Sequence, residues 1–213
     1  MLRQTLKKHK PFFFVFFGVL GTIRVLYTFR HVLFFSHYLS SLVALVLIYP
    51  ALLHINFTKQ PIVFFETNAR LVLSSLKTFT ATSLVIFPPF LLASHFYQKL
   101  ILGHHLQIFS PPHMEEEFLI QVVLIAFPEE FFFRGYVQET LKKLSSPRTA
   151  ILLTSILFAG AHSFIALQWW HFAIFFPALV FGWLREKTNG LVAPILFHAV
   201  SNTLMFWIQA CYR

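Results

Sequence analysis

FPEEFFFRG, residues 127–135, sets two adjacent carboxylates, Glu129 and Glu130, and the guanidinium of Arg134 inside an apolar run that covers residues 118–136. An ionisable group at membrane depth costs about 2.5–3.5 kcal/mol on insertion scales, so it is kept where it is paired, buried in a bundle or lining a wet cavity. The stretch is therefore a candidate functional site within a membrane helix. The sequence on either side has to supply a bundle around it.

The composition agrees with that reading. Of the 213 residues, 57% are hydrophobic, 12% are charged and 29 are Phe, and the mean hydropathy is +0.68. These values exclude an ordinary soluble globule. A helix needs about 20 mostly apolar residues to cross roughly 30 Å of hydrocarbon. Such runs are expected over residues 12–35, 37–55, 78–97, 118–136, 149–164, 169–184 and 191–209. The expected fold is all-α: a polytopic transmembrane helical bundle of about seven spans, within a range of six to eight. Residues 1–116 are read as N-terminal spans and connectors, and residues 117–213 as a four-helix core that carries the candidate site.

The net charge of +9 does not point to nucleic acid, because most Lys and Arg sit in short connectors between apolar runs. That is where a bilayer protein keeps its cytoplasmic charges. Placing the N-terminus and residues 56–77, 142–148 and 185–187 on the cytoplasmic side gives a consistent weave, which Arg24, Arg30 and Lys99 fit poorly. An integral multi-pass protein of the cell membrane is expected, with the lipid bilayer as a partner; no feature of the sequence specifies an oligomeric state.

The basic start and the apolar residues 12–20 are laid out like a signal peptide but lack a small-residue cleavage site, so a retained first helix is expected. Residues 12–35 form one tilted helix or a short span plus an interfacial helix. Residues 56–77, with Lys59, Arg70 and Lys77, are amphipathic and suit a segment lying on the membrane surface. Pro88-Pro89 is expected to kink its span. Residues 95–113 read as a solvated connector rather than a histidine metal site, followed by the acidic first turn Glu115-Glu116-Glu117. Trp169-Trp170 resembles an interfacial anchor. The single cysteine, Cys211, allows neither an internal disulfide nor a multi-cysteine zinc site.

Along a helix, neighbours point about 100° apart while residues four apart stack. Glu130 is thus placed to pair with Arg134, leaving Glu129 for chemistry. Two later runs supply polar partners, His162 in FAGAH (158–162) and His198 with Asn202 in HAVSN (198–202). His198 and Asn202 are four apart and share a helix face. At about 1.5 Å per residue, Glu129 lies roughly 20 Å from Lys142, His162 roughly 21 Å from Arg148 and His198 roughly 13 Å from Asn189. Comparable depth on three helices argues for one shared site.

Glu129-Glu130-x-x-x-Arg134, Phe158-x-x-x-His162 and His198-x-x-x-Asn202, in that order, resemble the three motifs of the CPBP/Abi family, which includes the type II CAAX prenyl endopeptidase, Rce1-like intramembrane proteases. The resemblance covers about residues 118–209. It implies an intramembrane endopeptidase acting on a membrane-embedded or lipid-anchored peptide or protein, with a prenylated chain as one such substrate. It also implies that Glu129 and His162 activate water, that His198 and Asn202 stabilise the oxyanion, and that Glu130 and Arg134 support them.

No cofactor and no metal are expected, since the chain has no His-Glu-x-x-His helix and no compact zinc-ligand set. Two histidines and a glutamate leave zinc as the alternative. Within the family, processing of prokaryotic C-terminal sorting tails or bacteriocin self-immunity are the alternative roles. Outside it, the alternative is a non-catalytic membrane scaffold or transporter subunit using its buried charges for packing or proton relay.

Overall fold

The computed structural model describes residues 2–58, 65–107 and 113–212 of the chain. The expectations that fall on Lys59 and the rest of 59–64, on residues 108–112 and on the Trp169 side chain lie outside what it describes. The described residues form seven helical rods: α1 (Leu2–Thr28), α2 (Leu33–Thr58), α3 (Ala69–Phe96, prolonged by a π-helical turn Tyr97–Ile101), α4 (114–142), α5 (Pro147–Ile165), α6 (Phe175–Thr188, preceded by a 3-10 turn Trp169–Ile174) and α7 (Val192–Cys211). The fold is an all-α membrane bundle.

Five rods are long and apolar enough to cross a membrane: Lys10–Thr28, Leu33–Phe57, Ala69–Ile101, Pro147–Ile165 and Val192–Cys211. The other two expected spans fall short for physical reasons. α4 carries Glu129, Glu130 and Arg134 at its centre, and α6 has only 14 residues, about 21 Å at 1.5 Å per residue.

Three boundaries differ from the sequence reading. Residues 12–35 are not one tilted helix, because the chain turns after Thr28 and restarts at Leu33. Residues 69–77 are not a surface segment but the first turns of α3, started by Asn68, whose Oδ1 accepts from the Leu71 N–H at 3.0 Å. Such an N-cap satisfies a donor that a helix start leaves unpaired. Residues 95–101 are helical rather than part of a loop. Other ends follow plain sequence signals. Ser146 caps α5, with Pro147 in its first turn, where a missing N–H costs nothing. Asn189 ends α6 in the left-handed conformation, φ 52°, which Asn tolerates well.

Ion pairs gather one end of the bundle. Lys142 meets Glu186 at 2.9 Å, and Arg185 meets Glu139 at 3.1 Å, so the 142–148 and 185–190 connectors share that end. Glu66 joins them by accepting from Ser75 Oγ at 2.5 Å and from the Val192 N–H at 3.3 Å, which caps α7 from 126 residues away. Arg24 lies at the opposite end, donating to the Ile165 carbonyl at the C-terminus of α5. A cation there meets the negative end of the helix dipole, which explains an arginine that the charge weave did not accommodate.

The main core is an apolar cluster crossing the two halves of the chain, with a second, small cluster of Ile208, Cys211 and Tyr212 at the end of α7. Phe16 of α1 stacks on Phe132 of α4, with ring centroids 6.1 Å apart, and Phe87 of α3 stacks on Phe197 of α7 at 4.7 Å. Phe197 precedes His198, so this packing fixes where the α7 motif faces.

Candidate active site

α4 is one continuous rod with two π-helical stretches, Gln121–Ala126 and Phe131–Gln138, flanking a short α-helical turn, Phe127–Glu130. Widened turns of this kind are frequent at functional sites. The turn between them carries both glutamates.

Glu130 and Arg134 are fully buried. Arg134 Nη1 donates to Glu130 Oε1 at 2.9 Å, and its Nη2 donates to the Ala178 carbonyl at 3.1 Å. The guanidinium also lies over the Phe158 and Phe181 rings, at 4.4 and 4.9 Å. One cation is thereby held by a carboxylate, a carbonyl and two aromatic faces. A charge removed from water needs that degree of compensation.

His198 reaches into this pair from α7. Its Nδ1 stands 2.8 Å from Glu130 Oε1; a carboxylate oxygen only accepts, so Nδ1 carries the proton. Its ring stacks on Phe181 at 4.6 Å and 15°. Held on both sides, the ring turns its Nε2 toward Glu129 Oε2, 3.8 Å away. The Glu129 side chain is 18% exposed, yet its Oε2 is buried and makes no hydrogen bond among the described residues.

His162 stands on α5 with its Nδ1 2.9 Å from the Phe158 carbonyl, so this nitrogen donates and Nε2 is left with its lone pair. Phe158 joins the motifs: its ring contacts His162 at 4.7 Å, His198 at 5.9 Å and the Arg134 guanidinium. Asn202 lies one turn beyond His198 on α7. Its Nδ2 donates to Gln121 Oε1 at 2.9 Å.

The structure thus gathers Glu129, Glu130, Arg134 and His198 in direct contact and joins His162 to them through Phe158. Asn202 is tied to the N-terminal half of α4. No three His, Cys, Asp or Glu side chains among the described residues converge as a metal site.

The sequence reading missed Gln121 as a partner of Asn202, His171, whose ring stands edge-on to His162 at 5.9 Å, and the role of Phe158 as the shared wall. Gln121 did leave a signal. It lies eight residues before Glu129, on the same side of the rod by helical spacing, and it is the one uncharged polar residue within 118–128.

Compared with known families, residues 116–204 match the model of the type II CAAX prenyl endopeptidase Rce1-like family. No curated protein and no solved structure matches the chain.

Proposed function

From an Rce1-like domain across residues 116–204, we propose that the protein is an intramembrane endopeptidase that hydrolyses a peptide bond near the C-terminus of a lipid-anchored chain, with Glu129 as general base. One observation carries the reading: Glu129 Oε2 is buried without a hydrogen bond beside His198 Nε2. A buried carboxylate oxygen left unpaired costs about 1–3 kcal/mol or more. Glu130 Oε2 is likewise buried without a hydrogen bond among the described residues, but the other oxygen of Glu130 is committed to Arg134 and His198, which leaves Glu129 as the carboxylate placed to receive a proton.

In this reading, water bound between Glu129 and His162 loses a proton to Glu129 as its oxygen attacks the scissile carbonyl, and the Nε2 lone pair of His162 orients it. The carbonyl π electrons move to oxygen. His198 and Asn202 hold that oxyanion by their Nε2–H and Nδ2–H groups. Collapse breaks the C–N bond, and the proton taken by Glu129 passes to the leaving amine, giving a carboxylic acid and an amine from amide and water.

The buried charges support the donor role of His198. The carboxylate of Glu130 holds Nδ1, which leaves Nε2, on the Glu129 side, as the ring nitrogen that faces substrate. Glu130 and Arg134 set the orientation of His198 and do not touch substrate. The chemistry assigned to this chain uses water and these side chains. Zinc as an added Lewis acid is distinguished by whether chelation abolishes turnover and zinc restores it.

The test is cleavage of a farnesylated peptide ending in a C-a-a-X sequence by protein reconstituted in liposomes, read by mass spectrometry. Release of the last three residues is expected with the natural sequence and not with Glu129→Gln. Equal release by both proteins would overturn the assignment of Glu129.

A further inference from the structure

Asn202 is an amide, and whether it can donate to an oxyanion depends on which way that amide faces. Amide nitrogen and oxygen are nearly the same in shape, so orientation is set by hydrogen-bonding partners. Three side chains form an unbroken line here. Gln121 Nε2 donates to Glu117 Oε1 at 2.7 Å, and Asn202 Nδ2 donates to Gln121 Oε1 at 2.9 Å.

The line has a direction. A carboxylate only accepts, so Glu117 requires the NH2 end of Gln121 to face it. The oxygen end of Gln121 then faces α7 and accepts only, which requires the NH2 end of Asn202 to face it in turn. Reversing either amide would set oxygen against oxygen. The polarity that begins at a carboxylate in the first turn of α4 thus reaches the α7 motif one turn from His198. One N–H of Asn202 is used on Gln121 and the other remains for a substrate oxygen.

We infer that Gln121, oriented by Glu117, is a positioning residue that fixes the Asn202 amide with its nitrogen toward the scissile carbonyl. The inference rests on Asn202 being an oxyanion donor, as proposed above. It adds two residues outside the three motifs and makes the first turns of α4 part of the device.

The experiment uses the full-length protein in liposomes and the same farnesylated peptide, with kcat and KM measured separately for Gln121→Leu, Asn202→Ala, their double variant and the swap Glu117→Gln/Gln121→Glu. Gln121→Leu removes the acceptor, and a loss of about 10-fold in kcat with KM within about two-fold is expected. In the Asn202→Ala background the same change should cost nothing further, because the group it positions is gone. The swap places a carboxylate at 121 that accepts from Asn202 and an amide at 117 that donates to it. Polarity is preserved, so kcat should stay within about two-fold of the natural protein.

An unimpaired Gln121→Leu, a loss that multiplies with that of Asn202→Ala, or a folded swap variant that has lost kcat would each overturn the relay while Asn202→Ala remains impaired. If Gln121→Leu does not fold, the swap decides. A silent Asn202→Ala, or natural protein that leaves the peptide uncut, overturns the underlying reading and this inference with it.

Discussion

Glu130→Gln isolates the buried charge balance from the chemistry. Glutamine keeps size and an oxygen that can accept from His198 Nδ1, but it removes the negative charge 2.9 Å from Arg134. Arg134, fully buried, is then left with the Ala178 carbonyl and the rings of Phe158 and Phe181, which are polar and polarisable but carry no net charge. Breaking one side of a buried pair costs about 3–5 kcal/mol. For a chain of this length each kcal/mol shifts the melting midpoint by about 2–4 °C, so a fall of roughly 6–20 °C is expected. Thermal unfolding of purified protein in detergent, followed by intrinsic tryptophan fluorescence, reads it directly. The double variant Glu130→Gln/Arg134→Met should recover most of the loss, since replacing both ions is often neutral, while activity stays low because the amide at 130 is no longer fixed by Arg134 and its oxygen is not held toward His198. Glu130→Gln melting at the natural temperature would refute the reasoning, as would a double variant no more stable than the single one.

Three further outcomes follow from named contacts. Gly190→Ala should lower the melting midpoint by about 1–8 °C, because the added Cβ would lie 2.2 Å from the Glu66 carboxylate and push it off the start of α7, and a lost cap costs about 0.5–2 kcal/mol; an unchanged midpoint contradicts the cap. Cysteines introduced singly at Ser145 and Thr188, in a Cys211→Ser background, should both resist an impermeant maleimide on intact cells and react after lysis, since the ion pair of Lys142 and Glu186 holds both connectors at one end; opposite labelling of the two would contradict the structure, and labelling of both from outside would invert the topology. His162→Ala should lower kcat by about 100- to 10,000-fold with a melting midpoint within a few degrees of the natural one, because its ring nitrogen is bonded to its own helix's Phe158 carbonyl; retained turnover would remove His162 from the water-activating pair.

The all-α bundle was legible because each rod leaves an apolar run of near-membrane length in the sequence, and the Glu130–Arg134 contact was legible because four residues along a helix bring side chains together. What escaped was of two kinds. Charges near the ends of rods misled: Arg70 and Lys77 gave 69–77 the character of a surface segment, when they are the first turns of a helix whose apolar stretch begins further on, and Arg24 looked misplaced until its partner, the Ile165 carbonyl, was seen.

Contacts between distant residues also escaped, since no periodicity encodes them. Equal depth placed His198 near the glutamates, but only the packing of Phe197 and Phe181 decides that Nδ1 meets Glu130. Nothing in the sequence near Glu66 shows that it caps a helix 126 residues later, and Gln121 had a visible position but no visible partner.

The role of Glu129 as the base of an intramembrane endopeptidase is tested by comparing membrane-protein C-termini by mass spectrometry in cells carrying either the natural protein or Glu129→Gln at matched levels. A defined set of lipid-anchored chains should keep their terminal residues only in the Glu129→Gln cells. Identical C-termini in the two sets of cells, with the natural protein folded and present, would contradict it.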